Sequence, residues 1–356
     1  ANIVMFNNVN VSHPLIPREQ NYLLSRKLVT IHSEDRDIPK FPDANSFDIK
    51  LPQIMENVQY MRLVFSSFPD TYYTFSTDYQ NTKLSFVINV ETLSSAPLDC
   101  ADIITIEIQP GNYTITQLTT ELQTKMNQSI GKYLGTDYTH MKVTYDVVGQ
   151  RILFGNVQHS FLLLLERKEC YKEVCKQPKM WELPIKWGLG YYLGFERGTY
   201  TSNEKDKVSF NYLEKDQVWL SNPDGNVHLT IAPFAPDIDG ESVFYMEIEK
   251  YNSMDELKLC PLNTNGSEHN TYAGYMNSAF AKIQINDSLS SNDTTDLQLQ
   301  NFTYFDVPEE KISKLHFKFR YHDGRLVNFA RLPFNFTLEF NCLKHEIGKS
   351  YKVRVP

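Results

Sequence analysis

The chain has 356 residues, of which 41% are hydrophobic and 22% charged, and it is rich in Phe (22) and Tyr (21). That balance excludes a disordered polymer. A formal net charge of -8 without a concentrated basic face argues against direct nucleic-acid binding, and no stretch approaches the roughly 20 apolar residues of a membrane span. The opening Ala1-Asn2-Ile3-Val4-Met5 lacks the charged and hydrophobic regions of a secretory signal, so a reducing compartment is expected.

Residues 1–26 hold Asn2, Asn7, Asn8, Asn10, Pro14 and Pro17 and no sustained helical repeat. They read as an extended arm that buries too little to order alone. A β domain is expected over 27–342. It opens with a short strand at Leu28–Ile31 and a second at Phe47–Leu51, which Pro52 is expected to close. Tyr60–Phe65, Tyr72–Phe75, Leu84–Val90 and Ile103–Ile108 follow. In the last, Ile104, Ile106 and Ile108 alternate with Thr105 and Glu107, which marks one dry and one wet face.

One helix is predicted, over about 114–128. Thr114 and Gln117 form a capping-box pair, and Leu118, Leu122 and Met126 recur one turn apart. Strands resume at Met141–Val147, Arg151–Phe154 and Ser160–Leu165. The segment 166–183 reads as an inserted loop. Trp187–Phe195 carries Gly188, Gly190 and Gly194, a pattern suited to close backbone packing rather than to helix or strand. Further strands are expected at Val208–Leu213, Gln217–Leu220, Val227–Ile231, Val243–Ile248 and Ala279–Ile285, with polar loops over 262–277 and 286–296. Leu315–Arg320 and Phe334–Phe340 alternate strictly and read as a hairpin with Phe and Leu on its inner face. A tail, 343–356, ends in Tyr351-Lys352-Val353-Arg354-Val355, a pattern able to augment a neighbour's sheet edge. Many short alternating strands and no strand–helix–strand rhythm predict an all-β, jelly-roll-like antiparallel sandwich with one short inserted helix and extended terminal segments.

Catalytic sets are missing from the pattern. No histidine pair has metal-protease spacing, and there is no nucleophile elbow, phosphate loop or dinucleotide fingerprint. Glu34, Asp35 and Asp37 flank Arg36, and a turn held by an Arg–carboxylate pair explains them better than a hydrolase site. Asp237, Asp239 and Glu241 resemble a fragment of a calcium loop whose pattern does not continue. Cys170 and Cys175 stand too far apart for the usual zinc pair, leaving a disulfide or free thiols. No catalytic residue, metal ligand or cofactor site is therefore assigned.

Several segments are more specific. Ser33-Glu34-Asp35-Arg36-Asp37, Phe41-Pro42-Asp43, Asn45-Ser46-Phe47 and Leu51-Pro52 occur in that order, followed by Pro110-Gly111-Asn112-Tyr113-Thr114 and Leu193-Gly194-Phe195. Tyr245–Leu257, Asn277–Ile283, Phe319-Arg320, Asp323–Val327 and Phe336–Glu339 come later. Together they resemble minor capsid proteins of large icosahedral nucleocytoplasmic double-stranded DNA viruses; the 166–183 insertion has no counterpart. The resemblance implies a jelly-roll-related fold and a non-enzymatic role. It also implies a place on the inner face of a virion capsid assembled in the host cytoplasm. The implied partners are the major capsid protein and other minor capsid proteins, with self-association possible and an inner viral membrane nearby.

Two functions follow from this reading. The first is capsid cement, with Tyr191, Tyr192, Tyr251, Tyr272, Tyr275, Phe302, Tyr304 and Phe305 as candidate contact residues, or else as packing residues of the domain itself. The second is a carbohydrate- or receptor-binding jelly roll on the outside of a virion, with Trp181, Trp187 or Trp219 lining a shallow pocket. A glycoside hydrolase would need a carboxylate pair about 5–10 Å apart in a cleft.

Overall fold

A computed structural model describes residues 22–69, 72–89, 102–167, 180–210, 218–257, 276–285 and 302–345. In chain order they form β1 (Tyr22–His32), β2 (Ser46–Ser67), β3 (Lys83–Ile88) and β4 (Ile104–Glu107), then helix α1 (Ile115–Leu134). Next come β5 (Met141–Asp146), β6 (Arg151–Asn156), β7 (Phe161–Leu164) and the single turn α2 (Leu189–Tyr192). The short strands β8 (Thr199–Thr201), β9 (Asn203–Lys205), β10 (Lys207–Ser209), β11 (Val218–Ser221) and β12 (Val227–Ile231) follow. The chain then runs through β13 (Val243–Ile248), β14 (Met254–Leu257), β15 (Met276–Ala279), β16 (Ala281–Gln284), β17 (Phe302–Arg320) and β18 (Asn335–His345). The architecture is a mostly β, jelly-roll-like sandwich with one long inserted helix. Among the described residues no helix is long and apolar enough to cross a membrane.

Two cores hold it. The first lies under a six-stranded sheet in the order β1-β18-β2-β17-β13-β16. Period-two alternation aims Phe47, Phe317, Phe319, Phe336, Leu338 and Phe340 inward, all of them buried. Phe68 sits among them, 5.0 Å from Phe244, 5.5 Å from Phe319 and 4.9 Å from Phe334 between ring centres. Each such ring contributes about 1.5–3 kcal/mol when fully buried. The second core is built from the middle of the chain, Phe75 to Ala232. It joins the sheet β4-β3-β7-β8, the sheet β5-β6-β12-β9 and the stripe Leu118, Leu122, Met126 and Ile130 of α1.

The helix begins as predicted. Thr114 Oγ1 accepts from Gln117 N at 3.3 Å, and Gln117 Oε1 accepts from Thr114 N at 2.9 Å. It continues past 128 to Leu134, because Ile130 extends the buried stripe and Gly135 caps the end at φ 71°. The Asn127 side chain accepts from Met141 N at 3.0 Å and donates to Met141 O at 2.9 Å, tying α1 to β5.

Other expectations need correcting. β2 is one 22-residue strand, and Pro52 does not close it. The β2–β17 register runs from Lys50↔Lys314 to Met55↔Ile312, leaving Pro52 in a bulge where no ladder needs its missing N–H. Tyr72–Phe75 is not a strand; Phe75 makes a single bridge to Gly111. Leu315–Arg320 and Phe334–Phe340 are not a hairpin, because β2 lies between β17 and β18 and pairs with both. β1 begins at Tyr22 and β18 continues to His345, so the inner ends of the supposed arm and tail pair with each other, Tyr22 opposite His345. The glycine-rich stretch contains the turn α2, and Gly194 fulfils the packing expectation: at φ 86°, an added Cβ would meet the Phe234 carbonyl oxygen at 2.2 Å. Of the polar loops, 262–275 and 286–296 lie outside the described residues, as do Cys100, Cys170, Cys175, Cys260, Tyr272 and Tyr275. Cys342 is a free, buried thiol of the first core.

Candidate functional site: an ion-paired aromatic face

The residues that alternate with the first core form the outer face of the six-stranded sheet. Its centre is Glu339 on β18, 2% exposed although it points away from the core. Burial there is the work of its neighbours. Arg62 from β2 donates through Nε and Nη2 at 3.0 and 2.9 Å, and Arg26 from β1 reaches the same oxygen at 2.9 Å. Tyr60 OH donates to the other oxygen at 3.2 Å and accepts from Asn341 Nδ2 at 2.6 Å. Two cations and a phenol thus offset the desolvation of one carboxylate.

An aromatic group stands beside this hub. Tyr304 pairs with Tyr60 across the β17–β2 ladder, and Phe302 pairs with Arg62. Ring centres of Tyr60, Phe302 and Tyr304 lie 5.4–5.7 Å apart, and the Arg62 guanidinium sits 5.0 Å over Phe302. Tyr304 is 64% exposed. Immediately beyond it, β17 carries extra residues before Glu309↔Val58 restores pairing; β2 carries its own extra residues around Pro52, after which the original register returns. Each bulge pushes out an apolar side chain, Val307 on β17 and Ile54 on β2, both exposed.

Ion pairs cover the rest of the face. Asp48 accepts from Lys314 at 2.7 Å and lies 2.6 Å from His316 Nδ1. Burial alone would raise its pKa, but the hydrogen bonds from Lys314 and His316 outweigh that and hold it below the usual carboxylate range. Arg320, 2% exposed, pairs with Glu247 and with Glu256, and Glu256 also binds His322.

A second buried arginine ties elements of the two cores together. Arg325, 1% exposed, binds Asp323 at 2.7 Å and Glu241, and lies 4.5 Å over the Tyr79 ring. Glu241 also takes Lys186 at 2.6 Å. Of the calcium-like trio, Glu241 is thus committed to two cations. Asp237 is raised by burial, against the nearby Lys186. Among the described residues, no group of three His, Cys, Asp or Glu side chains is placed to hold a metal.

The acidic segment at Glu34–Asp37 differs from expectation. Arg36 binds backbone carbonyls, Phe41 O at 2.9 Å, Pro42 O at 3.1 Å and Ser33 O, and not a carboxylate. Asp35 accepts from His32 N at 2.9 Å and Asp37 from Lys40 N at 3.3 Å. The segment is a loop folded around a guanidinium, and it lines one side of a cleft of about 600 Å³ faced by Val327–Pro333.

The candidate contact residues divide. Tyr192 and Tyr251 are buried, Tyr191 is half-buried, and Phe305 packs on the first core 5.6 Å from Tyr251. Phe302 and Tyr304 belong to the outer face, on a strand and not in a loop. The tryptophans suggested for a shallow pocket divide: Trp187 is buried in the second core under Arg197, Trp219 packs against Phe210, and Trp181 is half-buried. Sequence reasoning missed Glu339, Tyr60 and Arg62 as a unit. Their only signal was a glutamate at a wet position between phenylalanines.

A family model described as "Family of unknown function (DUF5901)" matches residues 19–145, from just before β1 almost to the end of β5. No curated protein matches. Solved structures with loose likeness include a mavirus penton protein, at 8% identity and TM-score 0.32, covering 90% of this chain and 99% of that one. Another is a chain of the Sputnik virophage, at 13% identity and TM-score 0.33, covering 90% and 98%.

Proposed function

We propose that the chain is a minor structural protein of a large icosahedral double-stranded DNA virus, cementing capsomers from beneath the major shell. The observation that carries this reading is the outer face of the six-stranded sheet. Glu339, Arg62, Arg26 and Tyr60 make a cross-strand base, and Tyr304 stands exposed beside it, with exposed Val307 and Ile54 further along the same two strands. Lasting interfaces favour tyrosine, phenylalanine and arginine set on a pre-organised surface, because little side-chain entropy is then lost on docking. The work is mechanical: area buried against several neighbours, with the terminal segments crossing subunit boundaries. The segments that resemble minor capsid proteins support it further. They fall on the loop between β1 and β2, on β2, the cap of α1, the end of α2, β13 to β16, the turn after β17, and β18.

The receptor-binding alternative loses support with Trp187 in the core. The test is location: cryo-electron microscopy of intact particles, with the density traced for this chain. The expected result is a position under the capsomers with Tyr304 covered by a neighbouring protein. A chain lying on the outer surface, or missing from purified particles, would end the reading.

A further inference from the structure

β1 is the edge of the six-stranded sheet. It pairs with β18 over its whole length, from Tyr22↔His345 to His32↔Asn335, and no strand among the described residues pairs with its other side. Such an edge offers a row of unpaired N–H and C=O groups. It is also apolar on the outside, with Leu24 and Leu28 58% and 55% exposed, while Val29 and Ile31 are buried on the inner face. Between Tyr22 and His32 the only charged side chains are Arg26 and Lys27. The edge is therefore hydrophobic and basic.

Both terminal segments outside the described residues have apolar patterns that a strand could use. Tyr351–Val355 carries Lys352 and Arg354 on one face, which would set two cations on the side of either Arg26 or Lys27. Residues 1–12 hold no charged side chain. Ile3, Met5, Val9 and Val11 share one parity, and Val4 and Phe6 share the other. A strand from Ile3 to Ser12 matches the length of β1. One face would extend the Val29 and Ile31 layer, and the other would set Val4 and Phe6 on the side of Leu24 and Leu28. The connection to Tyr22 contains His13-Pro14-Leu15-Ile16-Pro17. Each proline fixes its own φ and biases the residue before it to extended conformations, which favours an extended connection.

We propose that Ile3–Ser12 of one copy adds as a strand to the free edge of β1 in a second copy. This rests on the reading of the chain as a shell component whose arm crosses a subunit boundary, and it names the surface that receives the arm.

The test uses the full chain in sedimentation velocity across a concentration series, with hydrogen exchange read on the β1 amides. Concentration-dependent association is expected, with exchange at β1 slowed about tenfold or more in the associated form. Val9→Pro with Val11→Pro removes two donors from the arm, and should return a monomer with fast β1 exchange and an unchanged Tm. Three results overturn the proposal: a monomer with an unprotected β1; a monomer with a protected β1, meaning the arm folds on its own copy; or association abolished by Lys352→Glu with Arg354→Glu but kept by the prolines. A monomer still found beneath the capsomers would defeat only the arm exchange. An arm-exchanged protein missing from particles would defeat only the capsid reading.

Discussion

Glu339 of β18 and Arg62 of β2 face each other directly across the ladder, and both Arg62 donors fall on one Glu339 oxygen, at 3.0 and 2.9 Å. Arg26 reaches the same oxygen from the opposite neighbour, β1. Glu339→Gln keeps the shape and removes the charge that two guanidiniums require. The expected loss is about 2–4 kcal/mol, the range for breaking a buried pair with one partner left behind. Arg26→Ala, at the more exposed partner, should cost less than about 1 kcal/mol. Urea midpoints of the two variants give the comparison; equal losses would mean that Glu339 is not the hub.

Gly194 and Gly135 both have left-handed backbones, but their surroundings differ. At Gly135 an added Cβ meets nothing within 4 Å, so Gly135→Ala should cost only the conformational penalty, about 1 kcal/mol. At Gly194 the Cβ would overlap the Phe234 carbonyl, whose own N–H bonds back to Gly194 O at 3.0 Å. Gly194→Ala should therefore lower stability by roughly 3 kcal/mol or more, enough to shift Tm by several degrees. Similar melting of the two variants would refute the close-packing argument.

Thr114→Ala removes one half of the capping box. A loss of about 1 kcal/mol is expected. Because Thr114 and Gln117 act reciprocally, adding Gln117→Ala should cost less than its effect alone. A thermal-melt double-mutant cycle measures that coupling, and strict additivity would count against the reciprocal bond.

His159 supplies a pH dependence. Its Nδ1 lies 2.9 Å from Tyr138 OH, the two rings stack, and Tyr138 also exchanges hydrogen bonds with Asn156. Burial lowers the His159 pKa below 6.5, and His140 and His228 lower it further. The unfolded chain therefore binds the proton more readily. The stabilising contribution is complete above about pH 6.5 and is lost as pH falls through the lower folded value. His159→Gln should flatten that part of the stability–pH curve, measured as urea midpoints between about pH 5 and 7. An unchanged slope would place the acid sensitivity elsewhere.

Much of the fold was legible because alternation specifies which face a residue takes. Phe334, Phe336, Leu338 and Phe340 point inward as their spacing requires, and Thr114 caps its helix. Alternation does not specify which strand lies alongside. Leu315–Arg320 and Phe334–Phe340 look like a hairpin because they are neighbours in sequence, yet β2 from the other end of the chain separates them. The first half of β17 gave no alternating signal, because Asp306, Pro308, Glu309 and Glu310 interrupt its apolar residues. A bulge carries them within a continuous strand. The candidate site shows the same limit. Tyr304 could be picked out as an aromatic among polar residues, but the burial of Glu339 comes from Arg26 and Arg62, hundreds of positions away.

The order β1-β18-β2 has a consequence for how the molecule is made. Among the described strands β1 and β2 come early in the chain and β18, which lies between them, comes last, so the six-stranded sheet cannot close until residues 335–345 have been synthesised. The buried residues of the second core run from Phe75 to Ala232, with Ile238 packed against them, so among the described residues this core precedes β18 in the chain. A nascent chain stopped short of β18 would carry a finished middle and a split sheet with two open, hydrophobic flanks. β18 is the latch that joins β1 to β2.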